Sequence, residues 1–340
     1  MNRPEHGGDV RKLQQQFNLP ADAVWDLSTG VSPFAYPLPA MPISELQQMP
    51  YPKPELQAIA ASYYGVSEDQ LLAAPGSQAI IQILPRLRPR SRVLLPAIGY
   101  EEHRYCWQRA GHELHFYHDT QQIEALLATQ PIDVLVVIHP NNPTAEYCCH
   151  ESIKTWRNSM AEDSWLIVDE AFIDAEPERS VSNLLPMAGL IILRSVGKFF
   201  GLPGLRLGFA LADRKLLNEL KDELGPWPIC ALAQWAGVQL LADFAWHSEA
   251  RNRLLVASQQ LCTELKIALP ELDWVRQTPF FCSTMLAIDH ALEIQHAMAQ
   301  QGVLVRVYRT DGQACLRVGL PPLGRRLSDL YRLVSSSIGL

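Results

Sequence analysis

The stretch that decides the fold is Arg194-Ser195-Val196-Gly197-Lys198-Phe199-Phe200-Gly201-Leu202-Pro203-Gly204-Leu205-Arg206-Leu207-Gly208. The apolar run 190–193 leads into it and predicts a buried strand. A lysine just after such a strand has its ε-amine on a rigid scaffold with little water, which favours the uncharged form that a Schiff-base lysine needs. Taken alone, Lys198 fits a surface lysine in a Gly-rich loop. The flanking Ser195 and Arg206, which suit a phosphate, favour a functional lysine instead.

The chain before this stretch alternates apolar strands with helices. Predicted strands cover 92–95, 113–117, 133–138, 165–168 and 190–193, and predicted helices cover 54–64, 79–87, 101–110, 123–129 and 151–160. This order predicts an α/β fold with a mostly parallel sheet and helices on both faces. Ligands bind such sheets at the carboxyl ends of the strands, where 139–144, 169–172 and 195–198 are expected to meet.

A change in pattern after residues 226–228 indicates a second domain. A long helical stretch over 231–267, broken near Asp243, precedes strands near Trp274 and at 281–288, 304–307 and 314–318, with helices at 291–300 and 325–337. We therefore predict a large cofactor-binding domain over 41–228. The N-terminal arm 1–40 is grouped with a small α+β domain over 229–340.

The composition excludes several classes of protein. The 340 residues are 48% apolar and 19% charged, which is typical of a globular chain. The net charge of -7 with no basic block argues against nucleic acid as a partner. No apolar run is long enough for a membrane span, and no signal-peptide pattern is present, so we expect a cytoplasmic protein. Seven cysteines without zinc-type spacing indicate reduced thiols and no metal site.

Four further positions have side chains or backbone suited to a charged ring. Gly76-Ser77-Gln78 opens a helix and exposes amides to an anion, although an ordinary N-cap serine fits equally well. Asn142 follows a buried strand and could donate to a phenolate, or simply form an Asn-Pro turn. Asp169 ends an apolar strand and needs a partner such as a protonated pyridine, unless it caps a helix. Tyr100 could stack on the ring or belong to the core. Together with Lys198, this set matches pyridoxal 5′-phosphate.

Three motifs carry a resemblance to the fold-type I pyridoxal-phosphate enzymes of the class I/II aminotransferase family. They are His139-Pro140-Asn141-Asn142-Pro143-Thr144, Asp169-Glu170-Ala171-Phe172 and Ser195-x-x-Lys198 with Arg206 eight residues on. The resemblance covers nearly the whole chain. It departs from the family pattern where Ala145 replaces a glycine, Phe172 replaces a tyrosine, and Gly197 stands where Ser or Thr is frequent.

The resemblance implies roles for individual residues. Lys198 forms the Schiff base, Asp169 pairs with the pyridine nitrogen, Asn142 donates to the ring oxygen and Tyr100 stacks on the ring. The phosphate is held by Gly76, Ser77, Gln78, Ser195 and Arg206. Arg317 grips the substrate carboxylate, and Tyr51 reaches the partner subunit's phosphate site, which implies a homodimer. Asn142-Pro143 is expected to be cis, and His103 is a candidate support or an ordinary helix histidine. Without a tyrosine at position 172, the pKa of the Schiff base is expected to rise.

Within the family, the chain resembles the branch that decarboxylates L-threonine O-3-phosphate to 1-amino-2-propanol phosphate and CO2 in cobalamin biosynthesis. The nearest alternative is an aminotransferase acting on histidinol phosphate, because nearly the same residues serve both reactions. Phe172 and the His6-Gly7-Gly8 start favour the decarboxylase. His6, Gly7, Gly8 and Ser32 are the candidates for the substrate phosphate, although a frayed terminus would explain the first three.

Such folds also occur as effector-binding modules of transcription regulators. Only about 40 residues precede the first clear helix, and they show no helix-turn-helix pattern. We therefore expect an enzyme.

Overall fold

The computed structural model describes residues 3–20, 23–310 and 312–325. Its strands are β1 (Trp25–Asp26), β2 (Leu71–Ala74), β3 (Arg92–Pro96), β4 (Glu113–Tyr117), β5 (Val134–Ile138), β6 (Trp165–Asp169), β7 (Leu190–Ser195), β8 (Gly208–Leu211), β9 (Arg276–Thr278), β10 (Phe281–Leu286), β11 (Val303–Leu304), β12 (Arg306–Thr310) and β13 (Gln313–Gly319). Its helices are α1 (Val10–Phe17), α2 (Pro54–Tyr64), α3 (Ser77–Ile83), α4 (Glu101–Arg109), α5 (Gln122–Thr129), α6 (His150–Ser159), α7 (Val196–Phe199), α8 (Arg214–Leu224), α9 (Ala231–Ala242), α10 (Phe244–Ala268) and α11 (Ile288–Gln300).

The chain divides into two compact units. The large unit contains residues 35–140 and 147–248, and the small unit contains 1–34, 141–146 and 249–340. The predicted boundary after residue 228 lies earlier than the structural division. Helix α9 belongs to the large unit because it packs on α2, where the Gln234 side chain bonds to the backbone of Lys53 (2.9 Å from the Lys53 amide).

The large unit is built on a seven-stranded sheet in the order β2-β8-β7-β6-β5-β3-β4. Strands β4, β3, β5, β6 and β7 pair in parallel with one another, so the predicted mostly parallel α/β sheet is confirmed. Every residue of β5 is buried, as expected for a strand covered on both faces. The short strands β2 and β8 were not predicted. They extend the sheet at one edge. There β8 pairs antiparallel with β7, and β2 pairs antiparallel with β8.

The small unit contains a four-stranded antiparallel sheet in the order β12-β13-β10-β9. The N-terminal segment joins this unit because β1 pairs in parallel with β11. The strand expected near Trp274 is β9, which begins at Arg276. One prediction is wrong in detail. The strand expected over 304–307 is two strands, because β11 pairs with β1 whereas β12 pairs with β13. The predicted helix over 325–337 lies outside the described residues, apart from its first residue.

Two cysteines of the small unit form a disulfide. Cys262 of α10 and Cys282 of β10 are joined, with 6.0 Å between their Cα atoms. The expectation that all cysteines are reduced is therefore wrong for this pair. Their spacing of 20 residues indicates nothing by itself, since they meet only because α10 lies against the sheet. The contact between the Gln277 side chain and Ser258 of α10 (3.1 Å) is part of the same packing.

No helix within the described ranges combines the length and the apolar character needed to cross a bilayer.

A buried charge cluster joins the ends of β6 and β7 in the large unit. Arg194 donates to Glu170 (2.6 Å between Nη1 and Oε2), to Ser180 (2.9 Å) and to Asp174. Its guanidinium also lies 4.5 Å from the ring centre of Tyr64. Burial opposes the charge of Arg194, but Asp174 and Glu170 outweigh that effect and raise its pKa above the ordinary value. The cluster therefore fixes the two strand ends and the turn after Glu170.

We predict that Arg194→Met destabilises the large unit by about 3–5 kcal/mol, because it leaves two buried carboxylates without their cation. The matched control is Arg86→Met, which breaks an ion pair with Glu223 whose side chains are 59% and 43% exposed. That control is expected to change stability by less than about 1 kcal/mol. Urea unfolding followed by circular dichroism measures both, and equal midpoints for the two variants would contradict the prediction.

Candidate active site

The candidate site of the large unit lies at the carboxyl ends of β6 and β7. Asp169 is the last residue of β6, and Ser195 is the last residue of β7. Lys198 follows in the one-turn helix α7, whose apolar neighbours Val196 and Phe199 are buried. The sheet thus brings together the predicted carboxylate and the predicted lysine, at the edge where parallel sheets bind ligands.

Asp169 is buried and supported from two sides. Its Oδ2 lies 2.9 Å from Nε2 of His103, and its Oδ1 accepts from the Ala171 amide at 3.1 Å. Asp169 and His103 are only 3% and 2% exposed. Each carboxylate oxygen can accept more than one hydrogen bond, so Asp169 can still accept one from a further donor such as a pyridinium. The structure therefore gives His103 a place as the support of Asp169.

Phe172 lies beside the lysine. The Nζ of Lys198 is 5.4 Å from the centre of the Phe172 ring, a distance at which a cation is attracted to an aromatic face. The phenyl ring is buried and has no hydroxyl group to donate to a ligand. The expected effect on the Schiff-base pKa stays a prediction.

A narrow cradle is formed where Gly76 and Gly208 face Arg206 and Ser77. Gly76 has φ +77°, and a Cβ at this position would lie 2.7 Å from Nη2 of Arg206. A Cβ at Gly208 would lie 2.5 Å from the Ser77 amide nitrogen. The first amides of a helix have no intrahelical acceptor, so those of Ser77 and Gln78 suit an anion. Amides and an exposed guanidinium are the donors that a phosphate needs, and these residues therefore fit the cofactor implied by the sequence.

Gly197 has a steric reason to be glycine. A Cβ at this position would lie 2.9 Å from the Cα of Pro203, closer than real contacts allow. The loop after α7 approaches this position too closely for the side chain of a Ser or Thr. Ala145, the other departure at a glycine position, adopts φ +57°, which favours glycine.

Tyr100 is hydrogen-bonded to Gln78, the residue after Ser77 of the cradle. Its hydroxyl donates to Oε1 of Gln78 (2.9 Å), and Nε2 of Gln78 donates to Oε2 of Glu102 (2.7 Å). The Gln78 side chain is therefore occupied by protein contacts, which leaves its backbone amide for a ligand. The sequence motifs assign no role to Glu102, which precedes His103 on the same helix.

Asn142 and Arg317 form a separate cluster in the small unit. Oδ1 of Asn142 accepts from Nη1 of Arg317 and from the Tyr308 hydroxyl (3.2 Å), which leaves the amide NH2 as the free donor end. Arg317 also donates to the Ser28 carbonyl, and its Nε has no hydrogen-bond partner among the described residues although it is buried. A buried guanidinium with one unpaired donor suits a carboxylate. The Asn142-Pro143 bond is cis, as expected.

Two of the four residues predicted for the substrate phosphate lie at a cavity of about 420 Å³ in the small unit. His6, Gly7 and Ser28 line it together with Lys12 and Arg306. Gly8 donates to the Ser28 hydroxyl at 2.8 Å without lining the cavity. Ser32 does not line it either, because its hydroxyl is engaged with the backbone of Phe34.

Tyr51 is 66% exposed and makes an edge contact with Trp227, at 5.8 Å between ring centres.

Over the described residues, no three His, Cys, Asp or Glu side chains form a group that could hold a metal ion.

Comparisons with known proteins show the family of the chain. A family model described as "Aminotransferase class I and II" matches residues 43–325. The chain is 37% identical to a threonine-phosphate decarboxylase of Pseudomonas aeruginosa over 318 residues, which is 93% of both chains. It is 26% identical to a histidinol-phosphate aminotransferase of Chlorobium chlorochromatii over 82% of this chain and 79% of the relative.

A solved structure has the same fold. The histidinol-phosphate aminotransferase from Sinorhizobium meliloti in complex with pyridoxal-5′-phosphate aligns with a TM-score of 0.84 over 98% of this chain and 95% of that chain. The sequence identity is 19%, so this likeness concerns the fold.

We predict that Gly208→Ala raises the dissociation constant for pyridoxal 5′-phosphate about tenfold, because overpacking of about 1–3 kcal/mol must displace the Ser77 amide. The matched control is Gly204→Ala, where a Cβ would meet no atom within 4 Å. Equilibrium titration by absorbance measures both constants. A Gly208→Ala variant that binds like the control would contradict this account of the cradle.

Proposed function

Because the chain belongs to the aminotransferase class I and II family, we propose that it is a pyridoxal 5′-phosphate enzyme that decarboxylates L-threonine O-3-phosphate. The products are 1-amino-2-propanol phosphate and CO2. The observation that carries this proposal is the 37% identity to a threonine-phosphate decarboxylase over 93% of both chains. The relative that is an aminotransferase for histidinol phosphate has 26% identity, which makes that activity the second candidate.

The residues of the large unit would hold the cofactor. Lys198 would bind it covalently, the Asp169 carboxylate would pair with its ring nitrogen, and Tyr100 would stack on its ring. Its phosphate is held by Ser195, by Arg206 and by the amides of Ser77 and Gln78, which Gly76 allows to approach. When bound, the cofactor supplies an electron sink for the bond that breaks at the substrate Cα.

The proposed chemistry assigns proton transfer to two groups. The Asp169 carboxylate keeps a proton on the ring nitrogen, and the contact of Asp169 with His103 (2.9 Å) holds the carboxylate in place. Nζ of Lys198, freed from the cofactor by the substrate amine, would donate a proton to the substrate Cα after CO2 leaves, and its return to the cofactor would release the amine product. The same Nζ would move a proton away from Cα in transamination. The two reactions therefore differ in which bond is broken and not in which residue moves the proton.

In the small unit, the two anionic groups of the substrate have separate candidate partners. Arg317, whose Nε has no hydrogen-bond partner among the described residues, suits the carboxylate, and the amide NH2 of Asn142 would donate to the ring oxygen of the cofactor. The cavity with His6, Gly7, Lys12 and Arg306 suits the substrate phosphate. Gly8 and Ser32 stay candidates, although Gly8 donates to the Ser28 hydroxyl and the Ser32 hydroxyl accepts from the Phe34 amide.

The test is a product assay on cofactor-loaded protein with L-threonine O-3-phosphate and no keto acid. We expect CO2 and aminopropanol phosphate in equal amounts. Lys198→Ala is expected to remove the visible absorbance of the bound cofactor and to lower the rate at least about 10³-fold. Retained visible absorbance in this variant would contradict the role of Lys198. No CO2, together with conversion of the cofactor to its amine form by histidinol phosphate, would establish the aminotransferase instead.

The surface of the large unit supports a homodimer in which Tyr51 reaches the partner subunit's phosphate site. Ile43, Leu46, Met49 and Tyr51 are 55–70% exposed, an unusual density of large apolar side chains. Residues 50–53, with Trp227, also line an apolar groove of about 260 Å³. Sedimentation velocity of the holoenzyme at micromolar concentration is expected to give the mass of a dimer, and a monomer would contradict this part of the proposal.

A further inference from the structure

We propose that Glu102 is a positioning residue for Tyr100, acting through the side chain of Gln78. The inference rests on the proposed function, because it assumes that Tyr100 stacks on a planar cofactor. Neither sequence motifs nor the chemistry of the proposed reaction assigns Glu102 a role.

The contacts form one chain from a buried carboxylate to the stacking ring. Oε2 of Glu102 accepts from Nε2 of Gln78 at 2.7 Å, and Oε1 of Gln78 accepts from the Tyr100 hydroxyl at 2.9 Å. An ionised carboxylate can only accept hydrogen bonds. Glu102 therefore dictates which end of the Gln78 amide faces it, and the carbonyl end must face Tyr100.

Burial makes this orientation rigid. Glu102 is 7% exposed, and a buried carboxylate is costly unless its oxygens are hydrogen-bonded. The Cys106 thiol, one turn further along α4, lies 3.8 Å from the same oxygen. Burial and the nearby Glu102 raise the pKa of Cys106 to about 12, so the thiol stays protonated and can donate. Both donors thus point at Glu102 and hold it in one position.

The chain of contacts joins two parts of the candidate site. Gln78 is the second residue of α3, beside the cradle, and Tyr100 is the residue before α4. A single carboxylate therefore couples the plane of the aromatic ring to the start of the cradle. Without Glu102, the Gln78 amide can rotate and the Tyr100 hydroxyl loses its fixed acceptor. The cofactor must then order both side chains as it binds, which weakens binding.

The experiment compares Glu102→Ala with Glu101→Ala in the dissociation constant for pyridoxal 5′-phosphate and in the visible circular dichroism of the bound cofactor. Glu101 is the matched control, because it precedes Glu102 on the same helix and is exposed. We expect Glu102→Ala to raise the dissociation constant about 3- to 10-fold and to reduce the dichroic band. Glu101→Ala is expected to match the wild type. Glu102→Gln keeps an acceptor for Gln78 and is expected to restore most of the affinity.

A double-mutant cycle with Tyr100→Phe separates positioning from a general structural role. This variant keeps the ring but removes the hydroxyl, so Glu102→Ala is expected to change the dissociation constant by less than about twofold in that background. An undiminished effect in the Tyr100→Phe background, or no effect of Glu102→Ala in the wild type, would overturn the proposal. If Glu102→Ala does not fold, Gln78→Leu replaces it in the same cycle with the same expectations.

The outcomes also distinguish this proposal from the proposed function. A wild-type protein that binds no pyridoxal 5′-phosphate would remove both. Normal binding that is insensitive to Glu102 would remove only the positioning role.

Discussion

The candidate site depends on two adjacent carboxylates that are buried at the end of one strand. Asp169 and Glu170 are 3% and 0% exposed, and each needs polar partners because an unpaired buried carboxylate costs several kcal/mol. The requirement is met by different elements. His103 of α4 serves Asp169, whereas Arg194 of β7 serves Glu170. Satisfying the two charges therefore fixes α4 and the end of β7 relative to β6, and with them Tyr100, Ser195 and Lys198.

Some residues of the candidate site would contact a ligand directly, whereas others hold those residues in place. His103, Glu102 and Arg194 have no assigned contact with the cofactor, yet all three are buried. His103 is bonded to Asp169 and Glu102 to Gln78, both of which have an assigned contact, and Arg194 is bonded to Glu170, the residue after Asp169. The small unit follows the same rule, since Tyr308 and Arg317 both donate to one oxygen of Asn142 and thereby turn its amide. In each unit, hydrogen bonds from protein donors to an amide oxygen set the orientation of that side chain. Specific donor groups are then left for a ligand.

The sequence predicted the parts of the fold that depend on local pattern. The apolar runs of β3, β5, β6 and β7 specify strands without tertiary information, and Pro54 with Gly65 bounds α2 through local backbone preferences. Strands β2 and β8 escaped prediction because they are four residues long and are defined by pairing with each other. The disulfide and the break between β11 and β12 likewise depend on partners that are distant in sequence.

The candidate site divides in the same way. Lys198, Asp169 and Arg206 could be predicted because each follows a recognisable strand or glycine pattern. The support by Glu102 could not, since nothing in the sequence shows that α4 brings its buried face to Gln78. Ser32 was singled out from its neighbourhood, whereas Ser28 is the serine that lines the cavity with His6. The sequence alone does not show which of two serines, four residues apart in a loop, lines the cavity.

The choice between decarboxylation and transamination depends on how the substrate is held about Cα, and the small unit links the two groups that would hold it. Arg317 donates to the Ser28 carbonyl, the Ser28 hydroxyl accepts from Gly8, and a Cβ on Gly7 would lie 2.5 Å from the same carbonyl oxygen. The candidate carboxylate partner and the His6-Gly7-Gly8 segment therefore touch one residue, and their separation is fixed within one unit. A substrate whose carboxylate and phosphate are a few bonds apart has its rotation about Cα restricted by such a pair of anchors. Only the bond at Cα that stands perpendicular to the cofactor ring is weakened, so motifs that hold the cofactor in the same way in both activities do not distinguish them.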